Sequence, residues 1–125
     1  MSKRLIIIDD EEYIRIPIQD FFEDHGWEVI PFSSAEEALD YIKSEIADCV
    51  IVDMRLPGMT GLDFIDKANS IRKDLKFVIY TGSVDFNITE NLRSIGITEE
   101  CIVHKPAENL SELLEAAEFK RGCGG

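Results

Sequence analysis

Short runs of apolar residues recur along the chain, and most of them stop abruptly at a polar or charged residue. Four runs are continuous and a fifth, over residues 29–30, is weaker; the four cover residues 5–8, 49–52, 77–80 and 102–103. Continuous rather than alternating apolar runs are typical of strands that are buried on both faces of a sheet. The pattern therefore predicts five strands, most of them in the interior of the protein.

Apolar residues at helical spacing occupy the segments between these runs. In the first segment Ile14, Ile18 and Phe22 recur at intervals of four residues, which predicts a helix before His25. In the second segment Ser34 is followed three residues later by Glu37. This spacing is that of a capping box, so a helix is predicted to begin after Ser34.

Three more helices are predicted, over residues 61 to about 72, over residues 85–94, and from Asn109 or Ser111 onward. In the first of these, Leu62, Ile65, Ala68 and Ile71 form a stripe that we expect to face the core. The prediction of a helix over residues 85–94 is based on fewer apolar positions than the other two predictions.

Strand and helix alternate five times along the chain. Such alternation predicts an α/β fold in which a five-stranded parallel sheet is doubly wound, with helices on both faces, as a single three-layer domain. The length of 125 residues fits one domain. We assign residues 1–121 to this domain and residues 122–125 to a flexible C-terminal tail.

Acidic residues outnumber basic ones by 25 to 13, which gives a net charge of −12. This balance argues against direct binding to nucleic acid or to an anionic membrane, since both need clusters of Lys and Arg. The apolar run before Asp9 has only four residues, which is too short for a signal peptide or a membrane-spanning helix. We therefore expect a cytoplasmic protein that binds neither partner.

Reactive side chains follow four of the predicted strands. Asp9 and Asp10 follow the first strand, Asp53 the third, Thr81 the fourth and Lys105 the fifth. Ligands of open parallel sheets bind beyond the carboxyl ends of the strands, so we expect these side chains to converge there. One aspartate at a strand end commonly caps the next helix, but this combination of residues is poorly explained by capping.

Three neighbouring carboxylates either raise one another's pKa values or hold a cation. Because the ligands are all oxygen atoms, the cation would be hard: Mg²⁺, with Mn²⁺ or Ca²⁺ as substitutes. Lys105 offers a positive charge and Thr81 a hydroxyl donor to a phosphate at the same place. A carboxylate can itself accept a phosphoryl group, and such transfer depends mostly on positioning and charge neutralisation.

The chain resembles the receiver domain of two-component response regulators over essentially its whole length. The matching segments are residues 6–11 (IIIDDE), 52–61 (VDMRLPGMTG), 80–83 (YTGS) and 104–106 (HKP). Each motif alone is weak, but all four occur in the order and spacing of the family. The resemblance implies the flavodoxin-like sheet order 2-1-3-4-5.

The resemblance also implies roles for the residues at the strand ends. Asp53 would accept a phosphoryl group from a sensor histidine kinase or a phosphotransfer protein. Asp10 and Asp53 would bind Mg²⁺ directly, together with the backbone carbonyl of Arg55, and Asp9 would act through a water. Thr81 and Lys105 would contact the phosphoryl group, with the Lys105–Pro106 peptide in the cis form.

In this family the domain is a regulatory phosphoacceptor rather than an enzyme, although it can assist its own phosphorylation and dephosphorylation. Phosphorylation would switch its conformation and control a partner protein, an output domain or dimerisation with a second copy of the chain. Gly58 and Gly61 would shape the loop after the acceptor, where a side chain would be strained.

Three features depart from the family pattern. Ile102 stands where the family often has Tyr or Phe, which leaves the usual aromatic switch without its residue. The stretch from Thr81 to Lys105 is slightly longer than usual, around residues 97–100, on the face that commonly carries the output. Arg55 and Ser83 lie at positions that tune phosphate lifetime, and we hypothesise that the Arg55 side chain partly shields the acyl phosphate from water.

Two other functions are open at this point. An aspartate-dependent phosphohydrolase also uses a strand-end Asp with Mg²⁺, but it typically has a second Asp where this chain has Arg55, and 125 residues leave no room for a cap domain. A flavodoxin-type cofactor binder would need a phosphate loop rich in Ser, Thr and Gly after the first strand. Without a metal, the four acidic residues at 9–12 would repel a phosphate there.

Overall fold

The five predicted strands alternate with helices in the computed structural model, which describes residues 3–83 and 86–118. In chain order the elements are β1 (Arg4–Ile8), α1 (Glu12–Asp24), β2 (Glu28–Phe32), α2 (Ala35–Ser44), β3 (Cys49–Val52), α3 (Gly61–Ile71), β4 (Lys76–Thr81), α4 (Glu90–Ile95), β5 (Ile102–His104) and α5 (Ser111–Ala117). A single 3₁₀ turn, Glu99–Cys101, precedes β5. Residues 119–125 lie outside the described part, so the domain boundary and the tail stay predictions.

All five strands pair in parallel in the order β2-β1-β3-β4-β5. The doubly wound flavodoxin-like fold is therefore confirmed. The register pairs Ile8 with Val52 and Val52 with Ile79, so β1, β3 and β4 run level with one another toward their carboxyl ends. Asp9 and Asp53 consequently leave the sheet side by side.

Two separate apolar cores explain why the central strands are apolar without alternation. One core lies between the sheet and α2, α3 and α4, and includes Ile6, Val50 and Phe77. The other lies between the sheet and α1 and α5, and includes Ile7 and Ile51. Successive residues of a strand point to opposite faces, so both sets must be apolar when both faces are covered.

Side-chain caps begin three of the helices. The Ser34 hydroxyl accepts a hydrogen bond from the Glu37 N–H at 3.3 Å, which confirms the predicted start of α2. Thr60 does the same for α3 and Thr89 for α4, each at 3.2 Å. These bonds satisfy N–H groups that have no partner within the helix.

The predicted core stripe of α3 is partly wrong. Ile65 and Ala68 are buried, but Leu62 and Ile71 are 39% and 37% exposed. The buried face is formed instead by Gly61, Phe64, Ile65 and Ala68. The large ring of Phe64 packs edge-on against Phe77 of β4, with ring centroids 6.3 Å apart, and this contact rotates the apolar stripe by one position.

Several predicted boundaries also differ. The helix expected over residues 85–94 begins only at Glu90, because Thr89 caps it; Asp85 lies outside the described residues. The cap position of α5 is Leu110 rather than Asn109 or Ser111, although the Asn109 side chain accepts the Ser111 N–H at 3.0 Å. β2 continues through Pro31, which an edge strand tolerates.

The longest helix of the described residues is α1, with 13 residues. None of the helices in this part of the chain is long and apolar enough to cross a membrane.

Candidate functional site

Three carboxylates meet at the carboxyl edge of the sheet. Asp9, Asp10 and Asp53 each offer an oxygen atom, and these atoms lie within 4.8 Å of one another. Asp9 and Asp53 are only 2% and 7% exposed, whereas Asp10 is exposed to solvent. The structure thus brings together three aspartates that are separated by up to 44 positions in the sequence, because parallel strands end at one edge.

Lys105 bridges two of these aspartates. Its ammonium group lies 2.6 Å from Asp9 Oδ2 and 2.9 Å from Asp53 Oδ2. The end of β5 holds the lysine in place, since the Lys105 N–H donates to the Thr81 carbonyl at 2.8 Å. The following peptide, Lys105–Pro106, is cis.

Burial and ion pairing shift the pKa values of Asp9 and Lys105 in opposite directions. Burial raises the pKa of Asp9, because it disfavours the carboxylate, although the hydrogen bond from Lys105 partly opposes this effect. Burial likewise tends to lower the pKa of Lys105, but its hydrogen bonds to Asp9 and Asp53 outweigh burial, and the pKa is raised overall. Lys105 is therefore a cation throughout the neutral pH range.

Thr81 lies at the end of β4 and is fully buried. Its hydroxyl oxygen accepts the Ser83 N–H at 3.1 Å, so the side chain contacts the segment that follows the strand. Its own O–H remains a donor, because the Ser83 contact uses only an oxygen lone pair. The sequence singled out Thr81, and the fold places it at the same sheet edge as the acids.

The loop after Asp53 depends on close backbone contacts. The Arg55 N–H donates to Asp53 Oδ1 at 3.2 Å, so one carboxylate oxygen is held by the main chain. A Cβ atom on Gly61 would lie 2.4 Å from the Asp53 carbonyl oxygen, which no side chain could tolerate. Gly58 has a φ of +78°, in the left-handed region that favours glycine. Both glycines thus have the loop-shaping geometry that the resemblance implied.

Two residues around the site were not found from the sequence. A guanidinium N–H of Arg15 donates to the Asp9 backbone carbonyl at 2.6 Å. The Glu36 carboxylate, at the start of α2, accepts the Met59 N–H in the loop after Asp53 at 3.2 Å. Both contacts join a side chain to a backbone atom of another segment, and no motif marks such contacts in a sequence.

The donor set suits a hard divalent cation. All three clustered side chains are carboxylates, and oxygen is the ligand atom that Mg²⁺, Mn²⁺ and Ca²⁺ prefer. The Lys105 ammonium already shows that two of the carboxylates can share one cationic group. Asp10 adds an exposed carboxylate on the solvent side, where a hydrated ion could reach it.

Ile102 is half-buried at the start of β5 and packs against the core that contains α4. Phe86, in the segment between β4 and α4, packs against the same core. Ile102, Phe86 and His104 line a cavity of about 410 Å³ on this side of the sheet. Ile102 therefore contributes both to the core on this side of the sheet and to the wall of the cavity.

Sequence comparison finds relatives of this chain among known proteins. Sporulation initiation phosphotransferase F of Bacillus subtilis (strain 168) is 26% identical over 96 residues, which are 77% of this chain and 77% of that protein. The C4-dicarboxylate transport transcriptional regulatory protein DctD of Rhizobium meliloti (strain 1021) is 33% identical over 119 residues, which are 94% of this chain but 25% of that protein. The chain thus spans about a quarter of the length of DctD.

A solved structure of a receiver domain is also similar to this chain in fold. A response regulator receiver domain protein (CheY-like) from Methanospirillum hungatei JF-1 has a TM-score of 0.80 and 28% identity, over 97% of this chain and 94% of that chain. The sequence also matches the family model of the response regulator receiver domain over residues 5–118. This match covers nearly the whole chain and includes every strand-end residue described above. The chain therefore belongs to the response regulator receiver domain family.

Proposed function

We propose that Asp53 is the phosphoacceptor of this receiver domain and that its phosphorylation controls the conformation of the chain. The observation that carries the proposal is the bridge from Lys105 to both Asp9 and Asp53. A buried carboxylate is a poor nucleophile beside other carboxylates unless their charge is offset. Lys105 offsets that charge at 2.6 Å and 2.9 Å, and it would also face the incoming phosphoryl group.

The proposed reaction transfers a phosphoryl group from a phosphohistidine on a sensor histidine kinase or phosphotransfer protein. An Asp53 carboxylate oxygen forms the new P–O bond while the P–N bond of the phosphohistidine breaks, and its electron pair stays on the imidazole. The Arg55 N–H holds Asp53 Oδ1, and the Oδ2 atom lies beside Lys105. Oδ2 would then be the oxygen that attacks the phosphorus. Thr81 would donate its O–H to a phosphoryl oxygen.

Asp10, Asp53 and the backbone carbonyl of Arg55 would hold Mg²⁺ directly, and Asp9 would contact it through a water. Bound Mg²⁺ would neutralise negative charge on the phosphoryl oxygens. Mn²⁺ and Ca²⁺ would substitute, since they accept the same oxygen ligands. The indirect role of Asp9 is the one that the family resemblance implies; in the structure its two carboxylate oxygens accept from Lys105 and from the Glu11 N–H.

The family implies the kinds of downstream partner that this chain would control. An output domain, a separate protein or a second copy of the chain would recognise the phosphorylated form, and the location would be cytoplasmic. The phosphohydrolase alternative is not supported, because the family is regulatory and Arg55 takes the position where those enzymes have their second aspartate.

The proposal is tested by incubation with acetyl phosphate, with and without Mg²⁺, followed by intact mass spectrometry. We expect wild type to gain one phosphoryl group only with Mg²⁺ and to stop at that single addition. Asp53→Asn should gain none, whereas the control Asp40→Asn, at an exposed position of α2, should be labelled like wild type. Absence of any Mg²⁺-dependent addition to the wild type would refute the proposed function.

A further inference from the structure

We propose that Arg15 is a positioning residue that orients Asp10 for divalent-cation binding, acting through the backbone carbonyl of Asp9. The inference rests on the proposed function, because it assumes that Asp10 is a ligand of the cation. It adds a residue of α1 that lies outside all four family motifs quoted above.

Arg15 belongs to the first turns of α1 and is half-buried. A terminal N–H of its guanidinium donates to the Asp9 carbonyl at 2.6 Å. Its backbone N–H donates to the Glu11 carbonyl at 3.2 Å. Hydrogen bonds from a charged donor are about twice as strong as neutral ones, so Arg15 ties the turn after β1 firmly to the helix.

The position of Asp10 depends on its backbone. Among residues 3–83 and 86–118, the exposed Asp10 carboxylate has no hydrogen bond or ion pair with another group. The peptide plane before Asp10 contains the Asp9 carbonyl, which Arg15 holds. The peptide after it contains the Glu11 N–H, which donates to Asp9 Oδ1 at 3.0 Å. These two bonds set the direction in which the Asp10 side chain leaves the main chain.

The direction in which cation affinity changes when Arg15 is removed distinguishes a positioning role from a purely electrostatic one. Arg15 carries a positive charge near a site for a positive ion, so by Coulomb's law alone its removal would strengthen cation binding. If Arg15 positions Asp10, its removal weakens binding because the carboxylate loses its fixed direction. Outer-shell residues that orient metal ligands typically contribute about tenfold or more to metal affinity.

The experiment measures Mn²⁺ affinity by electron paramagnetic resonance of free Mn²⁺, with Mg²⁺ as competitor. We expect Arg15→Met to weaken Mn²⁺ binding about tenfold. Arg15→Lys, which keeps a charged donor on a long stem, should recover part of the affinity. Phosphorylation of Arg15→Met by acetyl phosphate should need more Mg²⁺ for half-maximal rate, but should approach the wild-type rate at saturating Mg²⁺.

Arg72 provides a matched control. Its guanidinium also donates to a backbone carbonyl, that of Ile42, at 2.9 Å. This contact is half-buried and joins the end of α3 to α2. Arg72→Met therefore loses the same kind of bond and the same charge, and should leave Mn²⁺ affinity unchanged.

Unchanged or tighter Mn²⁺ binding by Arg15→Met would overturn the inference while leaving the proposed function intact, provided that the wild type binds Mn²⁺ and is phosphorylated. Equal weakening in Arg72→Met would also overturn it, since the effect would then reflect general stability. A wild type that neither binds Mn²⁺ nor accepts phosphate would instead refute the proposed function.

Discussion

Lys105 is the single residue on which the charge balance of the site depends most directly. Its ammonium group lies between two carboxylates that are almost fully buried, Asp9 and Asp53. Removing one partner of such a group leaves buried charge without compensation, which costs more than the pair itself contributes. The lysine thus stabilises the fold, and under the proposed function it would also offset the charge of these carboxylates for an anionic phosphoryl group.

We expect Lys105→Met to lower the free energy of unfolding at pH 7 by about 2 kcal/mol in the absence of divalent cations. Excess Mg²⁺ should restore more stability to this variant than to wild type, because the ion would replace the lost positive charge. Urea unfolding with and without Mg²⁺ measures both effects. Lys67→Met, which removes an exposed lysine from α3, should behave like wild type.

The same interaction has a defined pH dependence. The folded-state pKa of Lys105 is raised above its ordinary value of 10.5. Its contribution to stability is therefore fully present below that pH and is lost as the pH rises through the folded-state pKa. Wild type and Lys105→Met should converge in stability above this range, and a constant difference would contradict the assignment.

The backbone and the side chain of Arg55 are expected to have different roles. Its N–H holds Asp53 Oδ1, while its side chain is exposed beside the site. We expect Arg55→Ala to keep the backbone contact but to speed loss of the phosphoryl group several-fold, because water would reach the acyl phosphate more easily. The decay of the phosphorylated mass measures this; a decay no faster than that of wild type would remove the shielding hypothesis.

At the scale of elements, the start of α3 is packed against the end of β3 more closely than any side chain allows. Gly61 is buried, and a Cβ atom there would lie 2.4 Å from the Asp53 carbonyl oxygen and 2.9 Å from Met54 Cα. Both neighbours are backbone atoms, so the strand or the helix would have to move. The loop after Asp53 is thus held by contact between two elements.

Gly61→Ala should consequently destabilise the protein by about 2 kcal/mol, as expected for overpacking in a rigid interior. Gly82→Ala is the control, because the nearest atom to its added Cβ would be Lys105 Cβ at an ordinary 3.9 Å. Thermal unfolding of both variants measures how much each substitution destabilises the protein. Equal melting temperatures would show that the β3–α3 contact relaxes without cost.

The buried face of α3 could not be predicted from the spacing of its apolar residues. The spacing of Leu62, Ile65, Ala68 and Ile71 is helical, and a helix does form there. However, Gly61, Phe64, Ile65 and Ala68 have an equally good spacing, and they form the buried face. The choice between the two stripes is made by the Phe64–Phe77 contact with β4, which sequence periodicity cannot reveal.

At the scale of the whole molecule, one parallel sheet lies between two cores, and its strand ends bring the candidate site residues to the same edge. The parallel order β2-β1-β3-β4-β5 puts β1 and β3 next to each other, so Asp9 and Asp53 become neighbours although 44 positions separate them. β4 and β5 then bring Thr81 and Lys105 to the same edge.

The sequence by itself determined the class of fold, the positions of the strands and the main residues of the candidate site. It could do so because strands covered on both faces must be continuously apolar, and because a parallel sheet collects its strand ends at one edge. The tertiary structure alone decided the buried face of α3, the approach of Gly61 to Asp53, and the contacts of Arg15 and Glu36 with the backbone of other segments. Those features depend on the distances between packed elements and on single side chains that reach backbone atoms, and neither leaves a periodic signal in the sequence.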